Sequence, residues 1–333
     1  MWKLGSLNCR GINYNLKELQ LATDFENYKL DFLAVQETHI KEQKILSIES
    51  LKGRKYTLYN SGQDINSNQR NFTGVGIITR ENFNCTFTAV SDRICYISFI
   101  TEKNNIKNII ISAYAPTLPS SQKNPDIRQK FYDELDQIIS STNSSMRVFL
   151  LGDFNAKTGS GYNFYRENMG VYGKGVLNEN GEFLLELANR HNLILTNTLF
   201  QHKMTHRTTW RCPERINSNK PIVNNQIDYI LVRNTERHNI LDARSYGGIF
   251  VDTDHKLVVL KIKEENKYVK YANKKLCASK QNLNLELLKE TKIENLYKEE
   301  ISKKLQNDDN ICTTNQQKWN KIMEVCQNSS TNI

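Results

Sequence analysis

Polar side chains that could bind a metal ion or a phosphate follow several short apolar segments of this 333-residue chain. In RVFLLGDFNAKTG (147–159), four apolar residues lead directly to Asp153 and, two positions later, Asn155. Residues two apart on an extended segment point to the same side. We therefore expect this strand to end at an open cleft, where neither the acid nor the amide has to be buried.

The same pattern recurs elsewhere in the chain. Asn8, Glu37 and Tyr114 end or follow further apolar segments, Asp228 lies within a late segment, QIDYIL, and the last segment opens with Asp254 and His255. Carboxylate and amide oxygens are hard ligands that suit Mg²⁺ or Mn²⁺ better than zinc. Because Mg²⁺ usually takes one or two protein carboxylates and adds substrate phosphate, the remaining acids and the histidine are available for proton transfer. The set predicts metal-assisted hydrolysis of a phosphate ester.

The apolar segments that must position these residues are short and rich in β-branched residues, which is typical of strands. We predict strands at 4–8, 32–37, 74–80, 95–100, 108–114, 148–153, 193–197, 226–232 and 256–262. Apolar residues among charged ones predict helices at 15–30, 126–140 and 180–192. Strands with interspersed helices indicate an α/β protein with helices outside stacked sheets, and such sheets bind ligands beyond their strand ends.

The strand pattern stops near residue 263. We expect one domain over residues 1–263, followed by a helical linker or tail over residues 264–333.

The composition favours an anionic partner and an intracellular location. The formal net charge is +9, which is common among proteins that bind nucleic acid. The seven cysteines form no CxxC pair, so neither a zinc site nor a disulfide framework is indicated. The amino terminus resembles no secretory signal, and no apolar run reaches the roughly 18 residues of a membrane span. We expect a nuclear or cytoplasmic protein that is not secreted, with no membrane partner and no small-molecule cofactor.

Seven motifs, in order, resemble those of the endonuclease/exonuclease/phosphatase superfamily: LNCRGI, VQETH, GVGIITR, AYAPT, GDFNAKTG, NQIDYILV and DTDHKLVV. Within it, the chain is similar to the endonuclease domain of non-LTR (LINE-type, RTE-like) retrotransposons and to craniofacial development protein 2-like proteins. The tail resembles the linker that precedes reverse transcriptase there, and no reverse transcriptase motif is present. The resemblance implies a DNase I-like, four-layer α/β/β/α sandwich of two packed mixed β-sheets, with a C-terminal helical tail.

The resemblance also implies how the metal and the phosphate are bound. Glu37 would be the principal Mg²⁺ ligand, with Asn8 and Asp254 assisting. Asn155 and Tyr114 would hold and polarise the scissile phosphate.

Proton transfer falls to three further residues. Asp228 would orient His255, which contacts a non-bridging oxygen or acts as base. Asp153 would align or deprotonate the attacking water, or protonate the leaving group. Ordinary pKa values make His255 the easier base at neutral pH, although a bound metal could reverse that preference.

A polar insert at 201–226 predicts contact with nucleic acid, because it contains five basic residues but only one acidic residue. The predicted contacts are Arg207, Thr209, Arg211, Arg215 and Thr253, the last replacing a serine common in the family. Trp210 would either stack on a base or anchor the hairpin. Arg10 stands near a position where abasic-site enzymes tend to have an acid, which argues against abasic-site repair.

The sequence thus predicts a Mg²⁺-dependent DNA endonuclease that nicks its substrate and leaves a 3′-hydroxyl. Two alternatives remain open: a phosphomonoesterase of the same superfamily acting on a lipid or inositol phosphate, and a catalytically silent nucleic-acid-binding module. Nothing in the sequence predicts the oligomeric state.

Overall fold

The fold is that of a computed structural model, which describes residues 1–12, 16–64, 72–102, 105–117, 125–159, 164–212, 224–264 and 298–299. Contacts divide the chain into two units, Met1–Lys267 and Tyr268–Ile333. Apart from residues 264, 298 and 299, the predicted helical tail lies outside the described residues. No helix in the described ranges has the length and apolar character needed to cross a membrane.

The described residues form fifteen strands and three α-helices. The strands are β1 (Trp2–Asn8), β2 (Phe32–Gln36), β3 (Lys44–Glu49), β4 (Lys55–Ser61), β5 (Val75–Arg80), β6 (Thr86–Ser91), β7 (Ile94–Thr101), β8 (Ile106–Tyr114), β9 (Arg147–Asp153), β10 (Leu193–Leu195), β11 (Trp210–Arg211), β12 (Asn224–Asn225), β13 (Asp228–Arg233), β14 (Ile240–Tyr246) and β15 (Leu257–Ile262). The helices are α1 (Lys17–Asn27), α2 (Pro125–Ser140) and α3 (Glu179–Arg190). Short 3₁₀ turns cover Thr196–Thr198, Met204–His206 and Asn234–Asn239.

Two large mixed sheets are present. The first has the strand order β14-β15-β1-β2-β5-β4-β3, and the second has the order β10-β13-β9-β8-β7-β6. β1 and β2 pair in parallel, as do β8 and β9, whereas the other neighbouring strands pair antiparallel. A separate two-stranded ribbon joins β11 and β12.

Three apolar cores separate four layers. Between the sheets, Leu4 and Phe32 of the first sheet belong to one cluster with Ile110, Phe149 and Ile230 of the second. A second cluster packs α1 on the outer face of the first sheet, and a third packs α2 and α3 on the outer face of the second. The predicted α/β/β/α sandwich of two packed mixed sheets is confirmed.

Strand alternation places a polar layer at one end of the inter-sheet core. On β1, residues 2, 4, 6 and 8 face the second sheet, so the strand passes from Trp2 to Asn8 along the core. On β9 the same face passes from Phe149 to Asp153. The register pairs Asp153 with Tyr114 on β8 and with Asp228 on β13. The candidate residues of both sheets therefore meet at one end of the sandwich.

Candidate active site

Asn8 connects the two sheets at this polar end. Its Nδ2 donates hydrogen bonds to Oε1 of Glu37, at 2.8 Å, and to Oδ2 of Asp153, at 3.0 Å. Its Oδ1 accepts a hydrogen bond from the backbone N–H of Arg10, at 3.1 Å. The amide therefore positions two carboxylates, which differs from its predicted role as a metal ligand, because its oxygen faces the backbone of the next loop.

Glu37 follows β2 and is ionised. Tyr114 donates a hydrogen bond from its hydroxyl to Oε1 at 2.8 Å, and Nε2 of His39 lies 3.6 Å from Oε2. Burial alone raises the pKa of Glu37, but nearby His39 and the hydrogen bonds from Asn8 and Tyr114 outweigh it and lower the pKa below its usual value. A charged carboxylate is thus held at the rim, as the predicted metal ligand requires.

Asp153, Asp228 and His255 form a buried triad. Nδ1 of His255 donates to both carboxylate oxygens of Asp228, at 3.1 and 3.2 Å, and its Nε2 lies 3.8 Å from Oδ2 of Asp153. Burial, reinforced by the charge of Asp228, raises the pKa of Asp153. For His255, burial acts to lower the pKa, but the charge of Asp228 and its hydrogen bond raise it to about 9. These contacts favour the protonated imidazole, which makes His255 a weaker base than its ordinary pKa suggests.

The segment after β9 departs from the predicted geometry in two ways. Asp153 does not lie at an open cleft, because it is only 1% exposed. Asn8 and the backbone N–H of Asn155 donate hydrogen bonds to its carboxylate oxygens. Asn155 is not extended, because its φ is +48° and its Nδ2 donates to the carbonyl of Ala115 at 3.0 Å. The expectation of an exposed acid and amide side by side is wrong, because local hydrogen bonds turn the chain after the strand.

Left-handed backbone recurs around this cluster. Arg10, Glu37 and His39 have φ values of +50°, +53° and +56°, in a region that residues other than glycine seldom adopt. Such conformations persist only where the surroundings impose them, and they are concentrated at functional sites.

One carboxylate oxygen of Asp254 has polar partners, and the other has no hydrogen-bond partner in the described residues. Its Oδ2 accepts from Nε1 of Trp210 at 3.0 Å and lies 3.2 Å from Nη1 of Arg10. Its Oδ1 is buried without a hydrogen-bond partner in the described residues, 4.0 Å from Nε2 of His255. Trp210 is thereby anchored by its indole N–H, which agrees with the hairpin-anchor interpretation of this ring.

Two threonines predicted to contact nucleic acid form hydrogen bonds with the backbone of triad residues. Thr253 donates from Oγ1 to the carbonyl of Asn8 at 2.9 Å and accepts from the backbone N–H of His255 at 3.2 Å. Thr209 is buried, and its Oγ1 accepts from the backbone N–H groups of Ile227 and Asp228 at 3.0 and 3.1 Å. Both hydroxyls bind the backbone, so these threonines position the triad, and their predicted contact with nucleic acid stays a prediction.

The basic insert is only partly described. Arg207 donates from Nε and Nη2 to the carbonyl of Tyr172 and covers its ring at 5.4 Å, whereas Arg211 is exposed on β11. The pairing of β11 with β12 forms the base of a hairpin. Arg215 lies outside the described residues, so its predicted contact with nucleic acid stays a prediction.

Residues 5–255 match the sequence profile described as Endonuclease/Exonuclease/phosphatase family. The chain belongs to this family. It is 28% identical over 272 residues to craniofacial development protein 2 of Bos taurus, a match that covers 80% of this chain and 42% of that protein. The chain thus spans less than half the length of this relative. The predicted resemblance to the superfamily and to craniofacial development protein 2-like proteins is confirmed.

Solved structures share the fold at low identity. An AP endonuclease from Archaeoglobus fulgidus superposes with a TM-score of 0.55 at 14% identity, covering 79% of this chain and 100% of that chain. The 3′ phosphatase NExo from Neisseria, bound to a product DNA hairpin, gives a TM-score of 0.52 at 14% identity, with the same two coverages. These likenesses show the two-sheet architecture of the family.

The donor set of this family member fits a divalent cation. In the described residues, Asp153, Asp228 and His255 place possible ligand atoms within 4.8 Å of one another. The imidazole of His255 is already bonded to Asp228 through Nδ1. Glu37 and the unpartnered Oδ1 of Asp254 are better suited, because carboxylate oxygens are what Mg²⁺ binds.

An open groove of about 890 Å³ lies beside the cluster and is partly cationic. Its lining includes Arg10, Arg211 and Lys256 together with Asp254 and His255. A second cavity, of about 960 Å³, lies near Trp2 and Phe99 at the opposite end of the sheets, and no predicted site residue lines it. The groove therefore gives a ligand access to the side of the cluster that contains Asp254 and His255.

One supporting residue escaped the sequence analysis. Asp24 on α1 is buried, and its carboxylate accepts hydrogen bonds from the backbone N–H groups of Phe250 and Val251, at 2.9–3.1 Å. It thereby fixes the loop that leads to Asp254. An available signal was its spacing, because Asp24 lies three residues after Leu21 and one before Phe25, on the apolar face of the helix.

Proposed function

We propose that this chain is a Mg²⁺-dependent endonuclease that hydrolyses a phosphodiester bond of DNA and leaves a 3′-hydroxyl. The observation that supports it most is a cluster of hydrogen bonds at one end of both sheets, whose two parts meet at the 3.8 Å contact between Nε2 of His255 and Oδ2 of Asp153. Its members come from six separate segments of the chain: Asn8, Glu37, Tyr114, Asp153, Asp228 and His255. A structural role does not require two buried carboxylates to face each other, whereas acid–base catalysis uses such pairs to shift pKa values.

Proton transfer is divided between Asp153 and His255. Asp153, whose pKa is raised by burial and by Asp228, takes the proton of the attacking water as general base. The bond from phosphorus to the 3′-oxygen breaks as the new P–O bond forms, and the departing oxygen takes a proton from solvent to become the 3′-hydroxyl. Protonated His255 donates from Nε2 to a non-bridging phosphate oxygen, where negative charge increases in the transition state. Asp228 keeps that imidazolium oriented through Nδ1.

The cation would be held by Glu37 and Asp254. Bound there, it would supply Lewis-acid polarisation of a phosphate oxygen. Tyr114 and Asn8 fix the rotamer of Glu37 through its Oε1, and Trp210 and Arg10 fix Asp254 through its Oδ2.

The charge of the chain favours a polyanionic substrate over a small phosphomonoester. The formal net charge is +9, and basic residues line the groove next to the triad. A strand of DNA could place successive phosphates along such a groove, each adding salt-dependent affinity. The solved relative from Neisseria, which holds a DNA product on the same fold, is consistent with this substrate class.

The test is nicking of supercoiled plasmid by the full chain, in Mg²⁺ and in EDTA, with Glu37→Gln as the variant. We expect the wild type to nick only in Mg²⁺, and the variant to lose about 100-fold or more of the rate because an essential charge is removed. DNA binding in EDTA should be unchanged. Glu186→Gln, on the exposed face of α3, is the matched control and should nick like the wild type.

The nicked product identifies the reaction. Extension of the nick by a DNA polymerase without prior end repair would establish the 3′-hydroxyl. Nicking by Glu37→Gln at the wild-type rate, or nicking by the wild type in EDTA, would contradict the proposal.

A further inference from the structure

Phe250 is an exposed aromatic residue at the edge of the groove. Phe250 is 58% exposed, whereas Ile249 before it is half-buried and Val251 after it is buried. Because both neighbours pack inward, the ring of Phe250 is directed outward. The same residue lines the groove together with His255.

The backbone of this loop is held firmly even though the ring is exposed. The N–H of Phe250 donates to both carboxylate oxygens of Asp24, at 3.0 and 2.9 Å, and the N–H of Val251 donates to Oδ2 at 3.1 Å. Tyr28 donates from its hydroxyl to the carbonyl of Gly248 at 2.9 Å. An apolar ring on a fixed backbone loses little conformational entropy when a ligand covers it.

The groove that Phe250 lines contains more cationic than acidic residues. Arg10, Lys17, Arg211 and Lys256 line it together with Asp252 and Asp254. An anionic ligand is therefore favoured in this groove.

We propose that Phe250 and the cations of this groove form a nucleobase-stacking subsite, so that the substrate is a DNA strand with an unpaired base beside the scissile phosphate. A nucleotide matches this surface because its base can cover an aromatic ring while its phosphates contact the cations. A base can reach the face of Phe250 only when it is released from its own partner strand. The inference rests on the proposed endonuclease function and adds the state of the DNA that the site prefers.

Binding of single-stranded oligothymidylate with one 2-aminopurine tests the subsite in EDTA, where no turnover is needed. The full-length wild type is compared with Phe250→Ala, with Phe250→Trp, and with Ile100→Ala as the control. Ile100 is 53% exposed and lies near the opposite end of the sheets. A second series replaces each 2-aminopurine by a tetrahydrofuran sugar that has no base.

We expect Phe250→Ala to weaken binding of the base-containing strand by about 5- to 100-fold, the range of base–aromatic stacking. Stacking quenches 2-aminopurine, so the wild type and Phe250→Trp should quench its fluorescence, whereas Phe250→Ala should not. In the second series, one strand carries the tetrahydrofuran at the position where the wild type quenches 2-aminopurine. On that strand, Phe250→Ala should bind as tightly as the wild type. Ile100→Ala should behave as the wild type throughout.

Two results would overturn the subsite. One is that Phe250→Ala binds the base-containing strand as tightly as the wild type and quenches 2-aminopurine as the wild type does. The other is equal weakening on strands with and without the base, which would assign Phe250 to the structure of the loop. A wild type that quenches 2-aminopurine in EDTA but fails to nick plasmid in Mg²⁺ would keep the subsite and reject the endonuclease proposal.

Discussion

Asp153 and Asp228 occupy directly opposed positions on neighbouring antiparallel strands, where two ionised carboxylates repel each other. His255 lies against both and balances the charge as an imidazolium. Folding alone gives no reason to bury these three ionisable groups together, since apolar residues of similar volume are often as stable or more so. Their arrangement is therefore best understood through the pKa values that it produces.

Thr253 allows a prediction at this scale. Thr253→Val keeps the shape of the side chain but removes the hydroxyl that joins the carbonyl of Asn8 to the backbone of His255. Because a slightly displaced His255 misdirects its Nε2, we expect nicking to fall by about 10- to 100-fold. The free energy of unfolding should fall by about 1 kcal/mol, measured by urea denaturation. Thr253→Ser, which keeps the hydroxyl, is the control and should nick normally; equal rates for the two variants would contradict the positioning role.

The identity and order of the site residues followed from the sequence, but their hydrogen bonding did not. The motifs around Asn8, Glu37 and Asp153 are short and distinctive, so they indicate which residues converge. Which way the amide of Asn8 points depends on Arg10 and on a strand from the other sheet, and the sequence contains no signal for that. The burial of Thr209 likewise depends on packing between segments far apart in the chain.

At the scale of elements, the strands that were predicted are mostly central and the strands that were missed lie at or near edges. β3, β6 and β14 are edge strands, and β4 lies next to an edge. Edge strands are covered on fewer sides, so they tolerate charged and polar residues such as those of KILSIE and ILDARSY and lack a continuous apolar run. The three helices were predicted within a few residues because each has an apolar face that packs on a sheet.

Strand β9 has a charged residue at each end, and the first of them is structural. Arg147 is 2% exposed and pairs with Glu236 through Nε and Nη2, at 3.2 and 2.9 Å. The guanidinium also donates to the carbonyls of Lys263 and Glu264 and lies 5.1 Å above the ring of Trp2. It ties the turn before β14 and the end of β15 to the inter-sheet core, at the end opposite the candidate active site.

Glu236→Gln should therefore destabilise the fold without involving the catalytic groups. Removing one partner of a buried ion pair leaves the other charge uncompensated, and we expect the free energy of unfolding to fall by about 3–5 kcal/mol in urea denaturation. Asp136→Asn is the control, because its pair with Arg190 is on the surface and should change stability by less than about 1 kcal/mol. Equal stabilities for the two variants would contradict the structural role of the buried pair.

At the scale of the whole molecule, the two sheets bring together groups that lie far apart in the chain. Asn8 and His255 are separated by almost the whole described domain. Nevertheless, Nδ2 of Asn8 lies 3.0 Å from Oδ2 of Asp153, and Nε2 of His255 lies 3.8 Å from the same oxygen. The sheet order explains this, because β1 pairs with β15 in one sheet while β9 pairs with β13 in the other. The sequence predicted a two-sheet sandwich through family resemblance, whereas the groove beside Phe250 depends on loop packing that no motif encodes.

A double-variant cycle of nicking rates in Mg²⁺, for the wild type, Glu37→Gln, Asp153→Asn and the combination of both, tests most directly whether the network acts as one catalytic unit. Groups that act together are strongly non-additive, so the combined variant should lose about as much rate as either single variant, on the order of 100-fold or more. Nicking at the wild-type rate by both single variants would contradict the account, and so would losses that simply multiply in the combined variant.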